Sequence, residues 1–508
     1  MEKVSTLSTR RRAKNLETWT LYAIIAEAFF LALWPTVAAA ALVFGVITWF
    51  LHSRIDTHYQ TRSLPLDVPV AIFFLIGGLS VLLSSARSLE LIYNYCSIAG
   101  SFGLTYFIVG QTVRKPAQVK QVTKALAAGT ALVVGWGLIQ FAFGVDAADV
   151  KWTDPDAFPE LRKRIFSTLE NPNVFAGWLD VFICLALGLL AKVERRGQKL
   201  VLVAAIALMA ACLAMTYSRG AFLSIAAVFV VYGVLKDWRA IILFVVVMAL
   251  IAFADTTFIG RILSAFTHSD SSGAVRVGIW VSTVAMIADH PFAGIGWGAY
   301  QFVYPQYNYY VADPNVVIYH AHNIYLNFAA EIGIVGALAF CWYFFGTMFM
   351  ALGAGELFDG EDSFIDRLKK FFRANSLAHY PAELAATVNE VLSDFANAVM
   401  NLFSRKPHKP KKSAPHLELV HHDEMKWHRR RKLADTDTVD ADDKFAAKLN
   451  DVTQIDDEKF LGGLKLGIGL AFLSMAFNGF TDDLLFNIQS SMLMWMLGAL
   501  GAAIEKIR

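Results

Sequence analysis

His322 and Asn323 stand side by side at the head of HNIYLNFAAEIGIVG, where a polar segment gives way to an apolar helix. Histidine titrates nearest neutrality, so one placed where a membrane helix meets water is suited to proton transfer. An interfacial histidine with no chemistry is the alternative. Three arginines stand at comparable boundaries: Arg164 in RIFSTLENPN, Arg219 in TYSRGAFLS and Arg276 in SSGAVRVGIW. Guanidinium forks pair with phosphate oxygens two bonds at a time and keep their charge at any relevant pH. Arginines at helix ends also snorkel, which needs no ligand.

The elements that must hold these groups are membrane helices. The chain has 508 residues, 56% of them hydrophobic and 17% charged, with a net charge of +2. Apolar runs fall at roughly 19–34, 36–51, 66–84, 90–110, 121–143, 172–192, 200–216, 220–235, 239–254, 323–353, 461–480 and 485–505. About 17–25 apolar residues cross a bilayer. The pattern therefore predicts an all-α polytopic membrane protein of about 12 transmembrane helices. The basic N-terminus precedes a retained first helix rather than a cleaved signal. Lys and Arg collect in one set of loops, including Arg10–Lys14, Arg114 with Lys115, the KVERRGQK turn and the C-terminal Lys506. That set belongs in the cytoplasm, which puts both termini inside.

His322 and the arginines then fall on the outer face, in or beside a large loop at 255–321 between helices 9 and 10. Residues 274–289 read as an interfacial helix stopped by Asp289-His290-Pro291, with GIGWG at 294–298 as a flexible turn. Trp297, Tyr300, Phe302, Tyr304, Tyr307, Tyr309 and Tyr310 follow, as a lipid-interface belt or as the lining of a groove for sugar rings. Asn171-Pro172-Asn173 reads as a helix start. Cys96, Cys184, Cys212 and Cys341 lie unpaired in apolar runs and read as small core hydrophobes. The chain divides as a membrane core at 1–355, a cytoplasmic polar and partly disordered insertion at 356–460, and two last helices at 461–508. His421, His422 and His428 in the insertion are a weak metal candidate. Asp482 and Asp483 alone are too few to make a Mg²⁺ site.

These motifs resemble the O-antigen ligase family, which also contains Wzy-type polymerases and some protein O-oligosaccharyltransferases. His322-Asn323, nine residues and then Gly333-Ile334-Val335-Gly336 fit the ligases' pattern, as does Glu331 within it. SRGAFL around Arg219 is similar to the family's first arginine motif. Arg276 with Trp280, His290-Pro291 and GIGWG is similar to its second. NPNVFAGWL and FTDDLLF are similar to further family features. The resemblance implies an inverting glycosyltransferase of the bacterial inner membrane, without metal or cofactor. It would move a glycan from undecaprenyl diphosphate to lipid A–core on the periplasmic face, among membrane lipids and with no nucleic-acid partner. It casts His322 as general base and Arg219 and Arg276 as holders of the diphosphate, with Arg164, Asn173, His320 and Glu331 as supporting neighbours. A polymerase or a protein O-oligosaccharyltransferase would share the donor chemistry. A solute transporter, a different class, would place polar groups near the midplane in repeated halves. No internal repeat is visible. The polar insertion departs from the short inner connection usual in the family.

Overall fold

A computed structural model describes residues 2–144, 164–235, 238–254, 271–309, 317–353 and 457–507. The predicted insertion, with its three histidines, lies outside the described residues as far as Asp457. So do Tyr310 and parts of the loops predicted at 144–171 and 255–321.

Among the described residues every regular element is a helix. In order these are α1 (Glu2–Phe30), α2 (Pro35–Ile55), α3 (Asp67–Leu83), α4 (Leu89–Asn94), which runs through a π-turn at Tyr95–Ala99 into α5 (Gly100–Thr112), and α6 (Pro116–Phe143). Next come α7 (Pro172–Leu190), α8 (Arg196–Thr216), α9 (Arg219–Leu235), α10 (Arg239–Ala254) and α11 (Ser271–Asp289). The short α12 (Tyr300–Val303), α13 (Ile324–Leu352), α14 (Asp457–Asn478) and α15 (Ile488–Ile507) complete the set. The twelve predicted apolar runs all fall on helices. Six of the helices, α2, α6, α7, α8, α13 and α14, are long and apolar enough to cross a membrane. The last two helices begin at Asp457 and Ile488, against apolar runs predicted from 461 and 485, with a short 3-10 turn at Leu484–Phe486 before the second.

Helices α7, α14 and α15 are buried along most of their length and form the middle of the bundle. Helices α2, α6 and α8 instead expose Phe44, Ile47, Leu132, Trp136 and Val201, the kind of apolar surface that lipid covers. Cys184 and Cys212 are buried as expected, whereas Cys96 is exposed on the π-turn and is not a core residue.

Two contacts fix how α7 and α14 lie together. A Cβ at Gly188 would come within 2.2 Å of the Gly467 nitrogen and 2.5 Å of the Gly463 oxygen, so the two backbones touch. Further along, the buried Asp180 of α7 accepts hydrogen bonds from Ser224 of α9 at 2.7 Å and from Ser474 of α14 at 3.4 Å. One end of the bundle carries Lys459–Glu194 and Lys465–Glu505 ion pairs. The other end receives the start of α7 and the end of α14, which carry the groups described next.

Gly467→Leu is expected to force these helices apart. Overpacking of this kind costs about 1–3 kcal/mol, so thermal unfolding in detergent should shift down by several degrees. Gly135→Ala, facing open space on α6, is the control and should leave the midpoint unchanged or raise it. Equal midpoints for the Gly467 variant and wild type would mean that the seam does not set the packing.

Candidate active site

Asn323 begins the site by building the helix it precedes. Its side-chain oxygen caps α13, accepting from the Tyr325 and Leu326 backbone N–H groups at 3.0 Å each. Its amide nitrogen donates to the Phe480 carbonyl at 3.1 Å, and the Ile324 N–H donates to the Gly479 carbonyl. The head of α13 is thereby fastened to the turn that follows α14. His322, one residue earlier, has φ +49°, a left-handed conformation uncommon outside glycine and asparagine.

That conformation brings His322 to Asp482. His322 Nδ1 lies 3.2 Å from Asp482 Oδ1. Arg276 Nη2, from α11, lies 3.6 Å from Oδ2 of the same carboxylate. Asn173 Nδ2, from the first turn of α7, donates to Oδ2 at 3.0 Å. The Asp483 N–H donates to Oδ1 at 3.0 Å. Burial works against the charge on Asp482, but the Arg276 guanidinium and the His322 hydrogen bond outweigh it and hold the carboxyl below the usual carboxylate range. An ionised carboxylate can only accept. In the neutral His322 ring the proton therefore sits on Nδ1, and Nε2 keeps a lone pair.

The neighbours sort by what holds them. Arg164 is 5% exposed; its Nε donates to the Thr216 carbonyl at 2.7 Å and its Nη2 to Asn173 Oδ1 at 2.9 Å. It braces Asn173 and the end of α8 from inside the protein. Asn171 caps α7 with Pro172 in the first turn. Arg219 opens α9 beside the same turn, where a Cβ at Gly220 would meet Thr481 Oγ1 at 2.8 Å. His320 packs on His322, with ring centroids 4.2 Å apart, and on Phe486 at 4.5 Å. Burial, with the His322 ring second, pushes its pKa down to about 3, so it is neutral near pH 7. Its Nδ1 accepts the His322 backbone N–H at 3.2 Å. Asp483 caps the turn to Leu485 and Phe486, and burial together with the Asp482 charge raises its carboxyl to about 7.

Glu331 is not in this cluster. It is buried within α13, where its carboxylate accepts from the Gly298 and Tyr300 backbone N–H groups. Gly333 explains why. At φ 73° and ψ 171° it breaks α13 in a conformation that essentially only glycine adopts. The Ala330 and Glu331 carbonyls freed by the break accept from Ile295 and Gly296 at 2.8 and 2.9 Å, and the Ile334 N–H turns to the Pro291 carbonyl at 2.8 Å. GIGWG is thus a fastened turn rather than a flexible one, held from its other side by Ser80 of α3 and by Ser84 just past its end. It positions the end of α11, the helix that carries Arg276.

The aromatic segment divides as well. Tyr300 and Tyr304 are buried, and Tyr300 shares a 2.6 Å hydrogen bond with Thr283 of α11. They belong to the core under α11 and line no groove. Phe302 and Tyr309 remain exposed. The sequence reading named the arginines and His322 but gave Asp482 no role at the site. The doublet in FTDDLLF was the available signal.

Residues 204–341 match the model of the family described as O-antigen ligase, so this stretch is similar to that family. The match takes in Arg219, Arg276, His320, His322 and Glu331; Arg164, Asn173 and Asp482 lie outside it. No curated protein matches the chain.

Gly333→Ala should release the GIGWG turn. The added Cβ would meet the Phe292 carbonyl oxygen at 2.1 Å, and the backbone strain alone costs about 1–3 kcal/mol. Faster protease cleavage near Gly294–Gly298 than in wild type is the expected result. An unchanged cleavage pattern with full activity would show that the kink is dispensable.

Proposed function

We propose that this O-antigen ligase family membrane protein moves a glycan from a polyprenyl diphosphate carrier, of the undecaprenyl type, to a hydroxyl of lipid A–core. The observation that carries the reading is the convergence of His322, Arg276 and Asn173 on Asp482, beside the start of α9 that bears Arg219. A proton acceptor next to guanidinium groups is what attack on a glycosyl diphosphate requires.

In this reading His322 Nε2 takes the proton of the acceptor hydroxyl as its oxygen attacks the anomeric carbon. The bond from that carbon to the diphosphate breaks on the opposite face, which inverts the configuration. Arg219 and Arg276 hold the diphosphate and offset the charge it gains on leaving. Asp482 fixes the His322 tautomer and stabilises the imidazolium, while Asn173, braced by Arg164, holds Asp482 in place. The Arg276–Asp482 separation of 3.6 Å exceeds a hydrogen bond. A diphosphate can therefore draw Arg276 away and leave the carboxylate to His322, which strengthens the base when donor is present.

In the twelve-span reading of the sequence, with the basic loops inside, this end of the bundle would face the periplasm of a bacterial inner membrane. The carrier diphosphate lies at that level, and its cleavage supplies the driving force without a nucleotide.

His322→Ala should lower transfer about 10²–10⁴-fold, the usual contribution of a general base, with donor binding retained. Arg219→Lys and Arg276→Lys should weaken donor binding, since lysine keeps the charge but loses the fork. The deciding experiment is a lipopolysaccharide gel of a strain lacking the protein, complemented with wild type or His322→Ala. Bare lipid A–core with glycan stranded on the carrier supports the ligase reading. Core bearing a single repeat would identify a polymerase instead, and an unchanged ladder would overturn both.

A further inference from the structure

A second polar site lies at the opposite end of the bundle. Helix α1, the end of α2, the loop after it and the end of α5 enclose a cavity of about 330 Å³. Glu17 and Thr20 on its wall stand 12–15 residues from Ala32, whose carbonyl accepts Thr168 Oγ1 near the candidate active site. At 1.5 Å per residue that is roughly 20 Å along the helix. The cavity is therefore separate from the chemistry at Asp482.

Its walls are cross-linked by hydrogen bonds and carry both signs of charge. Arg114 is held by bonds from Nε to the Gln111 carbonyl and from Nη2 to the Gln60 carbonyl, at 2.8 Å each, and lies over the Tyr59 ring. Tyr59 accepts from Trp49 Nε1 at 2.8 Å. Asp56 accepts the His58 N–H at 3.0 Å. Two groups on the wall are unused among the described residues. The Thr112 hydroxyl is buried, with no hydrogen bond, and the half-buried Glu17 carboxylate makes no ion pair. A simple anion would meet Glu17 and Asp56, and a simple cation would meet Arg114. A ligand with a phosphate joined to an ammonium group satisfies both, with the ammonium beside the carboxylates and aromatic rings.

The setting decides where that ligand comes from. Trp19 and Tyr22 on α1, and Phe44, Ile47, Phe50 and Leu51 on α2, are exposed large apolar side chains on the same helices. Aromatic residues at such a level mark the membrane–water interface, and the apolar face offers a path for acyl chains. We propose that this cavity binds the aminophosphate headgroup of a membrane phospholipid. The inference does not depend on the reading of the active site.

The full chain, purified in detergent, is titrated with phosphatidylethanolamine, phosphatidylglycerol or soluble glycerophosphoethanolamine and followed by native mass spectrometry. One tightly retained phosphatidylethanolamine is expected, at least about tenfold preferred over phosphatidylglycerol, with the soluble compound binding weakly. Glu17→Gln and Arg114→Gln should each lower that retention about tenfold or more, as for loss of one charge-assisted bond. Thr112→Val, close in shape, should lower it less while keeping the unfolding midpoint. Equal retention of the two lipids, or unchanged retention in the Glu17 and Arg114 variants, would overturn the site. Soluble compound binding as tightly as the lipid would overturn the lipid assignment.

Discussion

The Asp482 carboxylate is the point on which the site depends. A buried charge is costly unless it is paired and hydrogen-bonded, and losing one member of such a group leaves the others uncompensated. Here the carboxylate receives His322, Arg276, Asn173 and the Asp483 backbone N–H. These partners come from α7, α11, the head of α13 and the turn after α14. Remove the acid, and a guanidinium and an imidazole face each other with no anion between them. One carboxylate therefore ties together several segments that are far apart in the chain.

The second constraint is the break at Gly333. An unbroken α13 would keep the Ala330 and Glu331 carbonyls for itself and offer GIGWG no partners. Broken there, the helix presents two carbonyls to the turn and takes the Pro291 carbonyl in return. The buried Glu331 side chain adds a third grip on the same turn. The motif that begins with His322 thus has two separate tasks. Its first two residues make the site, and its glycine and glutamate fix the neighbouring segment that carries Arg276.

Much of this was legible from the sequence, and the gaps have physical causes. Apolar runs identified the helices because burial in lipid leaves a compositional trace. Asn171-Pro172 and Asn323 announced helix starts through capping chemistry, which is local. Asp482 could not be placed the same way. It lies 160 residues from His322, and what makes it central is the company it keeps after folding. Tyr300 and Tyr304 misled for a related reason, since a tyrosine suits a sugar groove and a packed core equally well until its burial is known. GIGWG read as flexible because glycine permits freedom; here the positive φ angles of Gly294, Gly296 and Gly298 serve a fixed turn. Six helices have the length and composition of a span. Helices such as α3 are apolar but shorter, and composition alone does not resolve them.

A hub of four partners also needs its supporting helices held at fixed separations, and the glycines of α7 and α14 do this. Asn173 opens α7, and Asp482 follows the end of α14. Any change in the spacing of these two helices would move one against the other. At Gly188 and Gly467 the backbones are already in contact, so the helices cannot approach further, and the Asp180–Ser224–Ser474 bonds resist separation nearer the site. The 3.0 Å bond between Asn173 and Asp482 is therefore set well away from itself, by residues with no side chain at all. The start of α14 lies beside Lys120 and Glu194, and the glycine seam stands between it and the end that carries Asp482.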